Sequence, residues 1–336
     1  MQDTILRVED LRVEFATMDG TVRAVNGVTF ELPRGGTLAV TGESGCGKSS
    51  IGLAIMGLLP HPGRVTGGRV LFGDRDLLTL SDEELRPIRG REIAIVFQDP
   101  STGLNPVLSV GQQVEEIIRT HLKPPRREAK RMAVEVLRQI GLPDPEEIVK
   151  RYPFELSGGM AQRVMIAIAT ALNPAVLILD EPTSALDVTV QAAILEDMVE
   201  LQQRHGTSII LISHDFGVVA QMAEHVAVMY AGHIAEYANV GTIFRTPRHP
   251  YTASLLASRP RWDRESGDRL PAIRGTPPSL IDLPDECPFL PRCHKATLQC
   301  RSEPAPQLSP AGPAPHAAAC YNPMYTEGDE PARRSA

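Results

Sequence analysis

A glycine-rich segment near the N-terminus has the spacing of a phosphate-binding loop. Gly42-Glu43-Ser44-Gly45-Cys46-Gly47-Lys48-Ser49 fits the pattern G-x-x-x-x-G-K-[ST], follows an apolar run and opens a helical stretch over 49–58. Its glycines let backbone N–H groups surround a phosphate, while Lys48 adds positive charge and Ser49 an oxygen for Mg²⁺. Cys46 fills a variable position, so we assign its thiol no redox role. The residues expected to bind nucleotide here are Gly42, Ser44, Gly45, Cys46, Gly47, Lys48, Ser49 and Ser50.

Two adjacent carboxylates follow another apolar run. Residues 176–179 lead into Asp180 and Glu181, whose side chains point in opposite directions because strand residues alternate. Asp180 is suited to hold Mg²⁺ through water, and Glu181 to polarise an attacking water. Gln98 and His214 also follow apolar runs. Each is weak evidence alone, because a histidine in such a place is more often a hydrogen-bonded structural residue.

The runs that precede these residues predict how they meet. The apolar, β-rich runs cover residues 37–41, 93–97, 176–179 and 208–213. They are apolar on both faces and alternate with helical sequence, as in a parallel sheet covered by helices. Ligands of such sheets bind at the carboxyl ends of the strands. We therefore predict an α/β fold in which the four polar endings converge on one site.

A helical insertion interrupts this pattern. Residues 99–159 are charged and helix-forming, with helical stretches over 110–122 and 126–140 that are separated by Pro124-Pro125. We interpret the insertion as a subdomain that contacts a partner.

A second glycine-containing segment stands before an apolar helical run. Leu156-Ser157-Gly158-Gly159-Met160-Ala161-Gln162-Arg163 lies just upstream of the acidic strand end. Ser157 is suited to cap that helix, and the two glycines leave room for a phosphate beside backbone N–H groups. The segment resembles the signature of the ATP-binding-cassette superfamily. Met160 departs from the usual Gln and Ser50 from the frequent Thr, but neither change removes a catalytic group.

The resemblance covers residues 4–245 and contains six elements in the family's order. These are the phosphate loop, Gln98 as the Q-loop residue, the signature, Asp180-Glu181, the D-loop Ser184-Ala185-Leu186-Asp187, and His214 as the switch histidine. The resemblance implies a P-loop NTPase fold, namely an ABC nucleotide-binding domain with a RecA-like core and a helical subdomain over 99–159. We place this domain at residues 1–245.

The same resemblance implies a head-to-tail dimer in which each ATP lies between the phosphate loop of one chain and the signature of the other. The residues it assigns to ATP on the signature side are Ser157, Gly158, Gly159 and Asp187. It implies catalytic roles for Glu181, Gln98 and His214, with Gln98 also touching Mg²⁺ beside Ser49 and Asp180. Phe15, aligned only loosely, is either an adenine-stacking residue or a buried strand residue.

A different kind of segment begins near Thr246. Prolines become frequent, strand-like runs cease, and four of the five cysteines follow Glu286. His249-Pro250-Tyr251-Thr252, Gly275-Thr276-Pro277-Pro278 and the cysteines resemble the C-terminal extension of oligopeptide and dipeptide permease ATP-binding subunits. This resemblance covers residues 246–322. The last residues, 323–336, are polar and are predicted to be a disordered tail.

The cysteines of this extension suggest a bound metal or cluster. They are Cys287, Cys293, Cys300 and Cys320. The segment has too little apolar sequence to form its own core, so cross-links such as a bound metal or disulfides must stabilise it. Four thiolates suit a [4Fe–4S] cluster, which the family resemblance favours, or a four-cysteine Zn²⁺ site, which the lack of C-x₂-C knuckles disfavours. Unmetallated thiols or disulfides are the third reading.

Net charge and hydropathy limit the partners and the compartment that the sequence predicts. The 336 residues carry a net charge of −7 without a basic cluster, which argues against a nucleic-acid partner. The longest apolar stretch, residues 164–179, is broken by Asn173-Pro174 and is too short to span a membrane. The N-terminus lacks the features of a secretory signal, so the expected compartment is the cytosol.

These features together predict the ATP-hydrolysing subunit of a peptide importer at the cytoplasmic face of the cell membrane. The partners implied by the resemblance are two membrane-spanning permease subunits, an extracytoplasmic peptide-binding protein and a second, similar ATPase. The alternatives are a non-transport ABC protein acting on ribosomes or DNA, an importer of another solute such as a metal chelate, and a P-loop kinase. The signature argues directly against the last.

Overall fold

The computed structural model describes residues 3–184, 186–259 and 272–324. Its strands are β1 (Thr4–Thr17), β2 (Gly20–Pro33), β3 (Thr37–Thr41), β4 (Gly63–Phe72), β5 (Arg75–Asp76), β6 (Ile93–Val96), β7 (Val176–Asp180), β8 (Ser208–Ile212), β9 (His225–Tyr230), β10 (His233–Asn239), β11 (Ser309–Pro310) and β12 (Ala317–Ala318).

The α-helices are α1 (Lys48–Met56), α2 (Asp82–Leu85), α3 (Pro100–Gly103), α4 (Val110–Leu122), α5 (Arg126–Gln139), α6 (Pro145–Ile148), α7 (Gly158–Thr170), α8 (Val188–His205), α9 (Phe216–Met222), α10 (Val240–Arg245), α11 (Pro250–Ala257) and α12 (Gln299–Ser302). Short 3₁₀ turns occur at Leu77–Thr79, Pro153–Glu155 and Leu290–Arg292.

The larger sheet forms the centre of the molecule. Its strand order is β11-β12-β10-β9-β3-β8-β7-β6, and β9, β3, β8, β7 and β6 are parallel to their neighbours within this set. Every residue of β3, β7 and β8 is buried, which explains why these strands are apolar on both faces. The predicted parallel α/β sheet is confirmed, with strand ends that agree within one or two residues. Because β3, β8, β7 and β6 are consecutive in this sheet, the loops after them lie side by side.

A second, antiparallel sheet flanks the first in the order β2-β1-β4-β5. Phe15 on β1 pairs with Val22 on β2 and with Gly63 on β4. A Cβ atom added to Gly63 would lie 2.5 Å from Cε1 of Phe15, so the aromatic ring depends on that glycine for its position.

The predicted helical insertion contains helices α3 to α6. Helix α4 begins with a capping box, in which Gln112 N–H donates to Ser109 Oγ at 3.3 Å and Ser109 N–H donates to Gln112 Oε1 at 2.8 Å. Apolar residues that recur at helical spacing are buried between α4 and α5. The two predicted helices are present, and α5 ends one residue early.

The C-terminal segment packs onto the central sheet. Strand β12 pairs with β10, which was unexpected because the sequence after residue 245 shows no strand-like run. That prediction is wrong because two-residue strands leave no periodic signal. The edge of β10 pairs with β12, and β12 in turn pairs with β11. Tyr251 and Phe289 are buried within the main apolar cluster. The segment thus shares the core of the cassette, and the part of the predicted tail at 325–336 lies outside the described residues.

A buried carboxylate strengthens this junction. Glu236 on β10 has a side chain that is 0% exposed. Its oxygens accept hydrogen bonds from Arg248 N–H at 2.6 Å and His249 N–H at 2.9 Å. His316 Nε2 lies 2.7 Å from Glu236 Oε1. Polar groups from two parts of the C-terminal segment, residues 248–249 and His316, therefore meet on one strand of the central sheet.

Candidate nucleotide site

The phosphate loop connects β3 to α1, as the sequence predicts. Gly47, at the N-cap of α1, has φ of 102°, and a Cβ atom there would lie 1.9 Å from the carbonyl oxygen of Ala24. At Gly42, with φ of 152°, a Cβ atom would lie 2.1 Å from the carbonyl oxygen of Met229. Only glycine fits these two positions, because the loop curls tightly against β2 and β9.

Lys48 lies inside the loop. Its side chain is buried, and Nζ donates to the carbonyl oxygens of Gly42 and Glu43, both at 3.0 Å. Cys46 Sγ is 3.9 Å from the same ammonium group. Burial raises the pKa of the Cys46 thiol despite the nearby positive charge of Lys48, so the thiol is protonated at neutral pH. This agrees with assigning Cys46 no redox role.

Most of the predicted site residues line one cavity of about 830 Å³. The sequence-predicted residues among its lining are Phe15, Gly42, Ser44, Gly45, Gly47, Lys48, Ser49, Ser50, Gln98, Glu181 and His214. Cys46 and Asp180 are not part of this lining, but they contact Lys48 and Ser49, which are. Strand ends that are separated by more than a hundred residues in sequence thus form one polar surface beside the start of α1.

Asp180 and Ser49 form the candidate Mg²⁺ pair. Ser49 Oγ donates to Asp180 Oδ1 at 2.9 Å. Burial raises the pKa of Asp180, while the Ser49 hydrogen bond and the charge of Lys48 oppose that rise. A buried carboxylate of this kind gains stability when a cation is near. The two oxygen donors therefore suit Mg²⁺, which would add positive charge beside the phosphates.

Glu181 is the centre of a small hydrogen-bonded cluster. Gln98 Nε2 donates to Glu181 Oε2 at 2.9 Å, and His214 Nδ1 lies 2.9 Å from Glu181 Oε1. Glu181 itself has φ of 47°, a conformation that non-glycine residues seldom adopt. Glu181 directly follows the last residue of β7, and it lines the cavity.

The signature residues lie elsewhere on the same chain. Ser157 caps α7 by accepting a hydrogen bond from Met160 N–H at 3.3 Å, and both Ser157 and Gly158 are exposed. Asp187 caps α8 through Thr189 N–H and Val190 N–H. Neither cap, nor Gly158 or Gly159, lines the cavity around Lys48. Ala185 of the predicted D-loop lies outside the described residues.

The cavity is also lined by residues that were not predicted from the sequence. The C-terminal segment contributes Leu255, Ser258, Arg259 and Leu280. The guanidinium carbon of Arg259 lies 5.7 Å from the ring centroid of Phe216, and Leu280 C=O accepts a hydrogen bond from Arg23 N–H on β2 at 3.0 Å. No motif marks these positions, because only the return of the chain to the cassette brings them to the site.

The four clustered cysteines line a separate, very small cavity of about 10 Å³. All are free thiols. Burial raises the pKa of Cys287 to about 11 and that of Cys320 to about 12. Within residues 3–184, 186–259 and 272–324, no group of three or more His, Cys, Asp or Glu side chains is arranged to hold a metal ion. The expected [4Fe–4S] cluster and its Zn²⁺ alternative therefore have converging thiols but no ligand geometry here.

Comparison with known proteins identifies the family. Residues 25–184 match the family described as ABC transporter, and residues 235–300 match that described as oligopeptide/dipeptide transporter, C-terminal region. The dipeptide transport ATP-binding protein DppD of Bacillus subtilis is 50% identical over 299 residues, which are 89% of each chain. The chain belongs to the oligopeptide/dipeptide family of ABC transporter ATP-binding subunits. As a member, this subunit is an ATPase.

Other relatives agree with the family of this ABC subunit. The oligopeptide transport ATP-binding protein OppD of Escherichia coli is 46% identical over 322 residues, covering 96% of this chain and 94% of its own. Among solved structures, the ATP-binding cassette MJ0796, a dimer bound to ADP and Pi, is 26% identical with a TM-score of 0.64. That match covers 70% of this chain and 98% of the cassette, which confirms the predicted P-loop NTPase fold of the ABC type.

Among the residues that the structure describes, no helix is both long enough and apolar enough to cross a bilayer.

Proposed function

We propose that this subunit hydrolyses Mg-ATP to power the import of di- or oligopeptides. The observation that carries the proposal is the extent of its similarity to dipeptide and oligopeptide transport ATP-binding proteins, which reaches 50% identity over nearly the whole chain. The similarity extends beyond the cassette into the C-terminal region. An ATPase that served another transporter would share the cassette without needing to share that segment.

The geometry supports a definite division of labour in hydrolysis. Lys48 and the backbone N–H groups of the phosphate loop bind and orient the triphosphate. Ser49 and Asp180, with Gln98 nearby, are the residues that would hold Mg²⁺. Glu181 accepts a proton from the attacking water, and its hydrogen bonds to Gln98 and His214 keep the carboxylate aimed at the cavity. We assign adenine stacking to Phe15, whose ring lines the same cavity.

A complete site requires a second chain. We propose that Ser157, Gly158 and Gly159, the first two of them exposed, together with Asp187 complete the ATP site of a partner ATPase, as in a head-to-tail dimer, and that the partner is a paralogue. The separation of the signature from the Lys48 cavity on one chain supports this arrangement, as does the dimeric state of the related cassette MJ0796. Closure around ATP and reopening after hydrolysis would then drive the transport cycle.

The helical subdomain offers a docking surface for a permease subunit. An apolar groove of about 330 Å³ runs between Gln98, Leu104, Phe154 and Gly158, and the side chain of Phe154 is 75% exposed. We propose that a short apolar segment of the permease occupies this groove, since it touches both the Q-loop residue and the signature. With the permease bound in this way, the proposed position of the subunit is the cytoplasmic face of the membrane, and that of the peptide-binding protein is the other side.

We further propose that the four thiols hold a [4Fe–4S] cluster, with Zn²⁺ as the alternative. Their convergence on one cavity in a loop-rich segment supports the donor set. A cavity of about 10 Å³ admits no cluster, so the loops would have to move apart to take it. The cluster would cross-link loops that have little regular structure of their own.

Transport by the reconstituted complex tests the main proposal. The subunit, its permease partners, the second ATPase and the binding protein are assembled in vesicles and offered a panel of di- and oligopeptides and metal chelates. We expect peptide uptake that depends on ATP. Uptake of chelates but not peptides would reject the proposed substrate class, and assembly with no permease at all would reject the transport role.

Two narrower measurements test the partner and metal proposals. Phe154→Ser should weaken assembly with the permease, whereas Met18→Ser, at an even more exposed apolar position on the β1–β2 turn, should not. For the cysteines, anaerobic purification is followed by absorbance spectroscopy and by iron and zinc analysis, with Cys300→Ser as the control. A colourless, metal-free and fully active protein would reject both metal readings.

A further inference from the structure

One contact joins the C-terminal segment directly to the phosphate loop. Arg292, at the end of the 3₁₀ turn Leu290–Arg292, has a side chain that is 5% exposed. Its Nη1 donates to Glu43 Oε2 at 2.7 Å, and Nη2 donates to Glu43 Oε1 at 3.0 Å. Both oxygens of one carboxylate are therefore held by one guanidinium, which is the strongest geometry for such a pair.

Neighbouring groups fix the orientation of the guanidinium. Arg292 Nε donates to the carbonyl oxygen of Arg274 at 3.0 Å, and Nη1 lies 3.2 Å from the hydroxyl of Tyr230. The arginine is thus held by its own segment at one end and by strand β9 at the other. Little freedom remains for it to leave Glu43.

Glu43 belongs to the nucleotide site itself. It is the second residue of the phosphate loop and lines the cavity around Lys48. Its N–H donates to the hydroxyl of Tyr251 at 2.9 Å, and its carbonyl oxygen accepts from Lys48 Nζ at 3.0 Å. The side chain is 24% exposed. Both its backbone and its side chain are therefore fixed, and two of the fixing groups, Tyr251 and Arg292, come from the C-terminal segment.

An acidic side chain at this position creates an electrostatic difficulty. A carboxylate on the wall of a triphosphate site repels its ligand, and in a partly buried site the repulsion is screened less than in water. The bidentate contact with Arg292 removes most of that repulsion. It also prevents the carboxylate from turning towards Lys48, the cation that the phosphates need.

We propose that Arg292 is a positioning residue of the ATP site, which neutralises and immobilises Glu43 so that the phosphate loop accepts a triphosphate. The C-terminal segment is accordingly a working part of the nucleotide site and more than an appendage to the cassette. The inference rests on the proposed binding of ATP at this loop, but not on what the four cysteines hold.

Equilibrium binding of a non-hydrolysable ATP analogue with Mg²⁺ to the full-length chain tests the proposal. Arg292→Gln should weaken binding by about tenfold, as expected for one uncompensated negative charge near the phosphates. Glu43→Gln should bind at least as tightly as wild type. The double variant Arg292→Gln/Glu43→Gln should return to within about threefold of wild type, because removing the carboxylate makes the arginine unnecessary.

Two controls separate electrostatics from folding. Arg301→Gln, at an exposed position on α12 of the same segment, should bind the ATP analogue like wild type. Arg292→Gln should weaken the binding of AMP less than that of the ATP analogue, since AMP carries fewer negative charges. High salt should reduce the difference between wild type and Arg292→Gln.

Specific results would overturn the inference. If the double variant binds as weakly as Arg292→Gln, the arginine only docks the segment and does not compensate Glu43. If Arg292→Gln does not fold, Glu43→Gln decides alone, and a tenfold loss of affinity in that variant would refute the proposal. Failure of the proposed ATP site itself would give a different result, because Lys48→Ala would then bind ATP as well as wild type.

Discussion

The nucleotide cavity and the cysteine cavity differ in what holds their residues in place. Gln98, Glu181 and His214 follow buried strands of one sheet, and hydrogen bonds of 2.9 Å already join them. The cysteines lie on loops and on a four-residue helix, with Cys293 directly after a 3₁₀ turn, and they converge on a space of about 10 Å³ without a ligand arrangement. A site built on a buried sheet is set by folding, whereas a site built on loops is completed by what it binds.

The comparison predicts opposite responses to change. In the nucleotide cavity, substitutions should alter binding or turnover while the fold persists, since the sheet does not depend on the ligand. In the cysteine region, removal of the bound metal or cluster should make the loops less ordered. If a substitution in the nucleotide cavity disrupted the fold, or if metal removal left the cysteine loops unchanged, the two regions would not differ in this way.

The largest expected effect is on turnover. Glu181→Gln keeps the shape of the side chain but removes the base, so ATP hydrolysis should fall on the order of a thousandfold while ATP binding persists. Light scattering in the presence of ATP should then show a closed dimer accumulating with the partner ATPase. Glu200→Gln on the exposed face of α8 is the matched control. Near-normal hydrolysis by the assembled Glu181→Gln complex would reject Glu181 as the base.

The next effect is on affinity. Lys48→Ala removes the buried ammonium group of the loop, and ATP affinity should fall by roughly a hundredfold or more, because a charge-assisted contact in a partly buried site is lost. Calorimetric titration measures the change, and thermal unfolding should show that the fold is retained. Lys150→Ala, at an exposed position beside Glu147, should bind normally. Wild-type affinity in Lys48→Ala would contradict the phosphate-loop assignment.

A smaller effect tests the loop-built region. Removing bound metal with a chelator should raise the rate of limited proteolysis within residues 272–324 by about tenfold, since local opening becomes easier when a cross-link is lost. Cleavage within the sheet should not change. Mass spectrometry of the fragments locates the cuts. Equal protection with and without chelator would show that the thiols need no ligand to stay ordered.

The smallest effect concerns pH. Burial lowers the pKa of His249 from 6.5 to about 4, so the unfolded chain takes up a proton more readily than the folded one between these values. Stability from this group is present above pH 6.5 and is lost as the pH falls towards 4. His249→Asn keeps an acceptor for Tyr251 N–H but cannot take up the proton, so it should lose less stability, by about 1.5–2 kcal/mol, between pH 6.5 and about 5.

Denaturant unfolding of both proteins at the two pH values measures this difference. His205→Asn, at the exposed C-terminal end of α8, should follow wild type. Identical pH dependence of His249→Asn and wild type would show that His249 is not buried uncharged at the junction of the cassette and the C-terminal segment.

Local sequence was sufficient for much of the cassette. The glycine spacing around Lys48, the apolar runs that end at Gln98, Asp180 and His214, and the serine before Gly158 each specify short-range geometry, so the loop, strand ends and helix cap could be predicted. The two-residue strand β12 could not be predicted, because two residues are too few to show a periodic pattern. Its pairing depends on the edge of β10 that β9 leaves free. The contacts of Glu181 with Gln98 and His214 likewise depend on strand order.

The sequence alone determined which chemistry this protein can perform, because the residue types that bind phosphate, hold Mg²⁺ and activate water stand in recognisable local patterns. Only the tertiary structure decided which distant residues share a site. It brought Arg292 to Glu43 across 249 positions of sequence, and it left Ser157 outside the cavity that Lys48 lines. The physical reason is that such pairings are selected by the packing of whole elements, and no local pattern in the chain encodes them.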